Sequence, residues 1–267
     1  MTALTSSLWR QPATGTRRLI SVASGKGGVG KTWLAITLAH ALARMGKRVL
    51  LFDGDLGLAN VDVQIGLKPM RDLGAVLAGR LPLKAAALPV ENCGFDIVAG
   101  SSGSGSLALL PAVRIQRLVD DLMALAATYD HAIVDVGAGL DRTVRFLAGC
   151  TDTCLVVTTD EPTALTDAYA FMKVMRADRA PTDMGVVVNM AASERAGERT
   201  HATLAKACES FLRFTPALFG LVRRDGRVAE AIRAQTPLLT RHPSADAAVD
   251  IEALARRLIA AGGAGGR

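Results

Sequence analysis

A glycine-rich octapeptide near the N-terminus is the segment of this sequence best suited to chemistry. It reads Gly-Lys-Gly-Gly-Val-Gly-Lys-Thr over residues 25–32, and it matches the pattern of a phosphate-binding loop between a strand and a helix. The glycines let successive backbone N–H groups turn towards phosphate oxygens, and the N-terminus of the following helix adds positive potential. The predicted nucleotide-binding residues of the loop are Gly25, Lys26, Gly27, Gly28, Val29, Gly30, Lys31 and Thr32.

Three carboxylates are candidates to complete a nucleotide-hydrolysing site. Asp135 ends the apolar run His-Ala-Ile-Val-Asp, and Asp53 and Asp55 follow the run Val49–Phe52. A carboxylate at the tip of a buried strand can hold the water shell of Mg²⁺, while the loop threonine, Thr32, can bind the ion directly. The pattern therefore predicts ATP or ADP with Mg²⁺ as cofactors, with Lys31 reaching the β- and γ-phosphates.

The elements that position these residues alternate between short apolar runs and longer helical patterns, which predicts an α/β fold. We expect a mostly parallel central β-sheet with helices on both faces, and ligand chemistry beyond the carboxyl ends of its strands. The predicted strands are Leu19–Ala23, Val49–Phe52, Phe95–Val98, Ala132–Val136, Cys154–Thr158, Val186–Val188 and Phe214–Phe219. The predicted helices are Gly30–Arg44, Met70–Ala78, Pro111–Thr128, Leu140–Leu147, Ala164–Met175, Ser193–Ser210, Arg227–Ala234 and Ser244–Ala260.

Composition favours one domain. Of the 267 residues, half are hydrophobic, which is enough for one sizeable core. We expect a flexible tail over residues 1–16, a single domain over 17–261 and a disordered tail over 262–267. No apolar run is long enough for a membrane span or a signal peptide, which predicts a cytoplasmic protein. The four cysteines lack metal-ligand spacing, so we expect buried, inert thiols.

The extra lysine of the loop, Lys26, resembles the signature lysine of the deviant Walker A motif found in the MinD/ParA family. The resemblance implies that ATP fastens a face-to-face homodimer in which Lys26 contacts the nucleotide of the other subunit. It also implies that Asp55 positions the attacking water, that Asp53 supports the metal or the adjacent switch region, and that Asp135 is the Walker B acid. Lys26, Lys31 and Asp55 are then the predicted catalytic residues, and Thr32, Asp53 and Asp135 the predicted metal residues.

Further blocks resemble one branch of that family, the flagellar-number regulators called FlhG or FleN. They are the segments 53–62, 66–69, 135–140 and 158–170. Asn189 corresponds to the family's base-reading asparagine, which would contact the adenine edge. The branch implies an ATP-dependent switch with protein partners in flagellar assembly or positioning.

Two residues depart from the family pattern. Trp33 stands where a small polar residue is common, and we expect its ring to pack against a neighbouring helix. Arg223 replaces a proline in the second adenine-contacting loop, which puts base contacts from that loop in question. The N-terminal segment also lacks the Asp-Gln-Ala motif by which typical flagellar regulators stimulate a partner GTPase.

The C-terminal quarter leaves its surface partners open. Its stripe of Ile251, Leu254, Leu258 and Ile259 suits either core packing or peripheral contact with the inner membrane through residues 244–261. Its arginines suit either a solvated face or non-specific DNA binding, as in a DNA-partitioning ATPase, and we expect nucleic acid less than a protein partner.

Three further functions are compatible with the lysine-bearing loop. They are a cell-division-site ATPase, a nucleotide-gated scaffold with little turnover and an iron–sulfur reductase. The reductase has the least support, because the cysteines are not placed to bridge a cluster between subunits.

Overall fold

The computed structural model describes residues 19–55, 59–100, 111–180 and 182–263. The predicted tail over residues 1–16 lies outside these ranges, as do residues 101–110 and Pro181.

An eight-stranded sheet forms the centre of the described chain. Its spatial order is β3-β4-β2-β5-β1-β6-β7-β8, and every pairing is parallel except the antiparallel β3–β4 edge. The central strands are runs of Val, Ile, Leu and Ala buried on both faces, as a parallel sheet requires. The bounds are β1 Leu19–Ser24, β2 Val49–Gly54, β3 Ala87–Val90, β4 Phe95–Val98, β5 His131–Ala138, β6 Thr153–Thr158, β7 Asp183–Ala191 and β8 Ala217–Arg223.

Helices cover both faces of the sheet and give three layers. One face packs against α1, α2, α9, α10 and α11, and the opposite face against α3 to α8. The predicted α/β fold is therefore confirmed. The bounds are α1 Lys31–Arg44, α2 Val61–Ile65, α3 Leu73–Leu77, α4 Leu83–Ala86, α5 Ala112–Ala126, α6 Arg142–Gly149, α7 Pro162–Ala177, α8 Glu194–Leu212, α9 Gly226–Arg233, α10 Leu238–Arg241 and α11 Asp246–Gly263.

The strand order brings the predicted site residues to one edge of the sheet. β1 lies between β5 and β6, and β2 pairs with the other side of β5. The loop after β1 and the carboxylates that end β2 and β5 therefore meet at the carboxyl ends of three neighbouring strands, where open α/β sheets bind ligands.

Some boundary predictions were wrong. The last strand is not Phe214–Phe219 but starts at Ala217. α8 runs to Leu212, where Arg213 turns into the left-handed region, and the residues that follow it connect to the strand. The edge strand β3 was not predicted, because it has only four residues and contains Pro89. The short helices α2, α4 and α10 were missed because they are too short for a periodic pattern.

The predicted burial of the cysteines is confirmed for three of the four. Cys93, Cys154 and Cys208 are buried free thiols, whereas Cys150 is half-buried. Burial raises the pKa of all four above the ordinary value, to about 12 for Cys154. A raised pKa keeps the thiol protonated and weakly reactive.

The apolar stripe of α11 belongs to the core. Ile251, Leu254 and Leu258 are buried, and the helix packs on β8 and α1. These contacts favour the core-packing interpretation of the stripe, while Ile259 is only half-buried, and membrane contact through residues 244–261 stays a prediction. None of the described helices is long and apolar enough to cross a bilayer. α11 ends at Gly263, two residues beyond the predicted domain boundary.

His40 gives the helix that follows the phosphate loop a pH-dependent stability. This residue of α1 is buried, and burial, with Arg44 nearby, lowers its pKa to about 4. In the unfolded chain the imidazole of His40 has its ordinary pKa of about 6.5. Between pH 6.5 and 4 it is therefore protonated in the unfolded chain but mostly neutral in the folded protein, and protonation favours unfolding. Relative to His40→Gln, the wild-type protein should lose on the order of 3 kcal/mol of stability as pH falls through this window. Urea unfolding of both proteins at several pH values measures the difference, and a constant difference would contradict this account.

Candidate nucleotide site

The loop of residues 25–30 joins β1 to α1 in a conformation that depends on glycine. Gly28 and Gly30 have φ values of +81° and +87°, in the left-handed region where side chains are disfavoured. A Cβ on Gly25 would lie 2.1 Å from the carbonyl oxygen of Asp167, so α7 packs directly on the loop backbone. Gly27 and Gly28, in contrast, face open space. The loop is therefore packed against α7 on one side, at Gly25, and open on the side of Gly27 and Gly28.

The N-terminus of α1 has no side-chain cap. Gly30 occupies the capping position and provides no side-chain hydrogen bond, whereas α3, α6, α8 and α9 are capped by Asp72, Asp141, Ser193 and Asp225. The first-turn N–H groups of this fourteen-residue helix therefore lack a side-chain acceptor. Phosphate oxygens of a nucleotide fit this requirement.

Asp53 and Asp135 lie side by side at the ends of β2 and β5, where they are direct partners in the strand register. Both are buried, and burial raises the pKa of each to about 7. Repulsion from Asp53 raises the pKa of Asp135 further, while the Thr32 hydroxyl and the Lys31 ammonium oppose this shift. Two buried carboxylates on adjacent strands repel each other, so a cation must lie nearby if both are to be ionised.

Asp135 fits the role of a magnesium-site acid. Its side chain hydrogen-bonds Thr32, the predicted metal-binding hydroxyl, and its Oδ1 atom is buried without a hydrogen-bond partner in the described protein. A water bound to Mg²⁺ would satisfy this oxygen. In the described ranges no three His, Cys, Asp or Glu residues could hold a metal by themselves, so the ion would depend on the nucleotide phosphates for part of its shell.

Asp53 supports the switch segment. Its Oδ1 accepts a hydrogen bond from the Asp55 N–H at 3.2 Å, and its Oδ2 accepts one from the Val61 N–H at 3.3 Å. The carboxylate thus ties both ends of the segment 55–61, of which residues 56–58 lie outside the described ranges. Of the two roles open to Asp53, metal binding and switch support, these contacts favour the second.

Asp55 and Lys31 face the same space. The Asp55 side chain lies against Gly137, where an added Cβ would be 3.4 Å from Oδ1. Burial lowers the pKa of Lys31, and the negative charges of Asp135 and Asp55 partly offset this effect. The ammonium is thus within electrostatic reach of both carboxylates, which is the position needed to neutralise a phosphate bound between them.

Lys26 is held by its own chain. Its Nζ donates to Glu161 Oε2 at 2.7 Å and to Thr163 Oγ1 at 2.8 Å, at the start of α7. The hydrogen bond from Lys26 lowers the pKa of Glu161. Glu161 and Thr163 were not among the predicted site residues, although both lie in the block 158–170 that carried the family resemblance.

Asn189 braces the phosphate loop from behind. Its Nδ2 donates to the Val29 carbonyl at 2.8 Å, and it is only 2% exposed. A Cβ on Gly30 would lie 2.4 Å from the same Nδ2 atom, so the glycine is required by this close packing as well as by its φ angle. The role of Asn189 in reading adenine stays a prediction, whereas its structural contact is with the loop backbone.

Comparison with known proteins places this site in a family. A family model described as the CobQ/CobB/MinD/ParA nucleotide binding domain matches residues 20–238. The antiactivator FleN of Pseudomonas aeruginosa is 37% identical over 242 residues, which cover 90% of this chain and 86% of that protein. The flagellum site-determining protein YlxH of Helicobacter pylori is 33% identical over 197 residues, covering 73% and 66%.

The chain belongs to the MinD/ParA family. A solved structure of the septum site-determining protein MinD from Pyrococcus horikoshii, complexed with Mg-ADP, superposes with a TM-score of 0.77 at 25% identity and covers 94% of this chain and 99% of that one. The fold and the P-loop chemistry agree with this membership. This MinD/ParA protein is therefore a P-loop ATPase, and its cofactors are ATP or ADP with Mg²⁺.

The first departure from the MinD/ParA pattern, Trp33, has a structural explanation. The residue is 6% exposed and belongs to the same core cluster as Ala231 of α9 and Leu238 of α10, with Ile65 packed against that cluster, which confirms that it packs among neighbouring elements. Its indole Nε1 finds no acceptor within the part of the chain that the structure describes.

The second departure, Arg223, turns towards α11. Its guanidinium donates to both carboxylate oxygens of Asp250, at 2.9 and 2.8 Å, and pairs with Asp246 at 3.0 Å. The side chain therefore fixes β8 to α11. Further arginines of this quarter are also engaged, since Arg256 pairs with Glu252 and Arg257 donates to backbone carbonyls. These arginines are therefore less available to contact the phosphates of DNA.

The brace from Asn189 predicts how its removal affects nucleotide selectivity. In Asn189→Ala the Val29 carbonyl loses its donor, so the loop should bind phosphates less well whatever the base. We expect the affinities for ADP and GDP to fall by similar factors, of roughly tenfold for a lost hydrogen bond of this kind. Titration calorimetry with both nucleotides measures this, with Ser193→Ala, a change at the start of α8, as the control. A loss confined to ADP would instead support direct contact with adenine.

Proposed function

We propose that this ATPase is a dimerising switch that controls flagellar number, closed by ATP into a face-to-face homodimer and released by hydrolysis. The observation that carries the proposal is the position of Lys26. The residue belongs to the phosphate loop, yet its ammonium is used at the start of α7 by Glu161 and Thr163. The ammonium of Lys31, in contrast, lies within electrostatic reach of Asp55 and Asp135, the carboxylates of the nucleotide site.

The remaining roles follow from the contacts of each residue. The loop N–H groups and Lys31 hold the phosphates, and Thr32 with Asp135 holds Mg²⁺ and its water. The ion supplies charge neutralisation at the β- and γ-phosphates when bound. Asp55 orients the attacking water, because its carboxylate shares the space in front of Lys31. Asp53 keeps the segment that carries Asp55 in register through its two backbone hydrogen bonds.

Release of Lys26 from its own chain costs little. Glu161 is 63% exposed and Lys26 is 36% exposed, and water and salt screen the attraction of an ion pair at such a surface. A triphosphate in a closed, water-poor interface offers Lys26 a stronger charge-assisted partner. The intrachain pair thus keeps the lysine ordered in the monomer without preventing its transfer to the second subunit.

The flagellar role is supported by similarity that spans most of the chain. The two relatives from Pseudomonas aeruginosa and Helicobacter pylori are named as an antiactivator and as a flagellum site-determining protein. The blocks at 53–62 and 158–170, which resemble that branch, contain Asp53, Asp55 and Glu161, so the similarity includes the switch residues. We place the protein in the cytoplasm, where its ATP-bound dimer binds components of flagellar assembly or positioning.

The switch predicts opposite effects for two alanine variants. Asp55→Ala should bind ATP without hydrolysing it and accumulate as a dimer, because the attacking water loses its partner. Lys26→Ala should remain monomeric with ATP, because the triphosphate in each site no longer receives a lysine ammonium from the other subunit. Light scattering with ATP and with ADP measures both, and Lys68→Ala, an exposed lysine outside the site, is the control for lost charge. Monomers of equal mass under all conditions would contradict the proposal.

The cellular role predicts a change in flagellar number. In the native host, replacing the gene by the Lys26→Ala variant should reproduce the deletion, because neither cell contains the closed dimer. Flagella per cell are counted by electron microscopy, with Lys68→Ala as the control strain. An unchanged count, together with ATP-dependent and salt-sensitive DNA binding in gel shifts, would favour a DNA-partitioning ATPase instead.

A further inference from the structure

A second concave surface lies away from the nucleotide site, between α5 and the segment that links α3 to α4. This α3–α5 groove has a volume of about 770 Å³ and is lined by residues 76–84 on one side and by α5 on the other. Its size is within the usual range of about 300–1,000 Å³ for binding sites. None of the nucleotide-site residues lines it.

The floor of the α3–α5 groove is apolar. Leu118 and Leu125 of α5 lie two turns apart on the same face, and Val76, Leu77 and Leu81 form the facing wall. Val113, one turn before Arg117 on α5, is 80% exposed. Leu118 and Leu125 are almost fully buried and belong to the core, so the groove presents its apolar surface mainly through the half-buried Val76, Leu77 and Leu81.

The rim of the groove is cationic. Arg80 and Lys84 stand on the α3–α4 side and Arg114 and Arg117 on α5, against the single carboxylate of Asp121. All four cations are exposed. Within the part of the chain that the structure describes, none of their side chains makes an ion pair or a hydrogen bond, whereas the nearby Arg71 donates to the Ala85 carbonyl. The positive charge of the rim is therefore not neutralised by the surrounding described residues.

We propose that the α3–α5 groove binds an acidic amphipathic helix of a partner protein. An apolar floor between cationic rims is complementary to a helix that places apolar side chains at i, i+3, i+4 and i+7 and carboxylates along its flanks. None of the residues that line the groove belongs to the nucleotide site, so the two sites are distinct.

Other polyanions fit this surface less well. Single-stranded nucleic acid is held by aromatic side chains on which bases stack, and the groove lining contains no Phe, Tyr or Trp among the described residues. A bilayer surface requires a protruding apolar face that can enter the headgroup region, whereas this apolar floor is recessed between its rims. A carboxylate-bearing helix satisfies both the floor and the rim.

The test uses two synthetic helical peptides with the same leucine pattern, one flanked by glutamates and the other by lysines. Fluorescence anisotropy with the full chain should give at least tenfold tighter binding of the acidic peptide, with and without ATP. The double variant Arg114→Glu, Arg117→Glu should abolish this preference while leaving ATPase activity and the unfolding temperature unchanged. The matched control is Arg195→Glu, Arg199→Glu, two exposed arginines on α8, which should bind the acidic peptide as the wild type does.

Three outcomes would overturn the proposal. The first is equal affinity for the two peptides, or no binding of either. The second is loss of acidic-peptide binding in the α8 control as in the groove variant, which would indicate non-specific attraction to net charge. The third concerns two other anionic probes, phosphatidylglycerol vesicles and a short DNA strand. If the groove variant binds either of these more weakly than the wild type does, yet binds the acidic peptide as well as the wild type, the rim belongs to a lipid or nucleic-acid site.

Discussion

Two carboxylates, Asp53 and Asp135, are fixed beside each other by the register of the parallel strands β2 and β5, and both are buried. Burial raises the pKa of each carboxyl to about 7, so the pair resists full ionisation unless hydrogen-bond donors and positive charge lie nearby. Asp53 takes two backbone N–H donors from the segment 55–61, while Asp135 takes the Thr32 hydroxyl and lies near the Lys31 ammonium. The remaining demand for positive charge is what Mg²⁺ satisfies in a nucleotide complex.

The same arrangement explains why ATP can act as a structural ligand. The phosphate loop is held by Asn189 and by the close packing of Gly25 on α7, so contacts within the chain fix its backbone shape. Preformed donors lose little freedom on binding phosphate. What the chain lacks in its own site is Lys26, which is ordered at the surface by an ion pair that is weak because it is exposed. In the proposed switch, a second subunit supplies that charge.

Much of the fold and of the site could be predicted from sequence because both depend on local patterns. The alternation of apolar runs with helical periods indicated a parallel sheet, and the glycine positions of the loop indicated its backbone shape. Long-range contacts could not be predicted in the same way. Nothing local to Arg223 indicates Asp250 as its partner, nothing local to Asn189 indicates the Val29 carbonyl, and the stripe on α11 suited a membrane as well as the core. Short elements such as β3 and α2 escaped because four or five residues carry no measurable period.

The central claim is that each site is completed by the Lys26 of the other subunit, and mixing two inactive variants tests it most directly. In a heterodimer of Lys26→Ala with Asp55→Ala, the first subunit keeps its own Asp55 and can receive Lys26 from the second. The account predicts that the mixture regains ATP hydrolysis that neither variant shows alone, because a two-fold interface exchanges the same residues in both directions. If Lys26 served its own nucleotide, no subunit would hold both residues. A mixture as inactive as its components, although heterodimers form, would contradict the account.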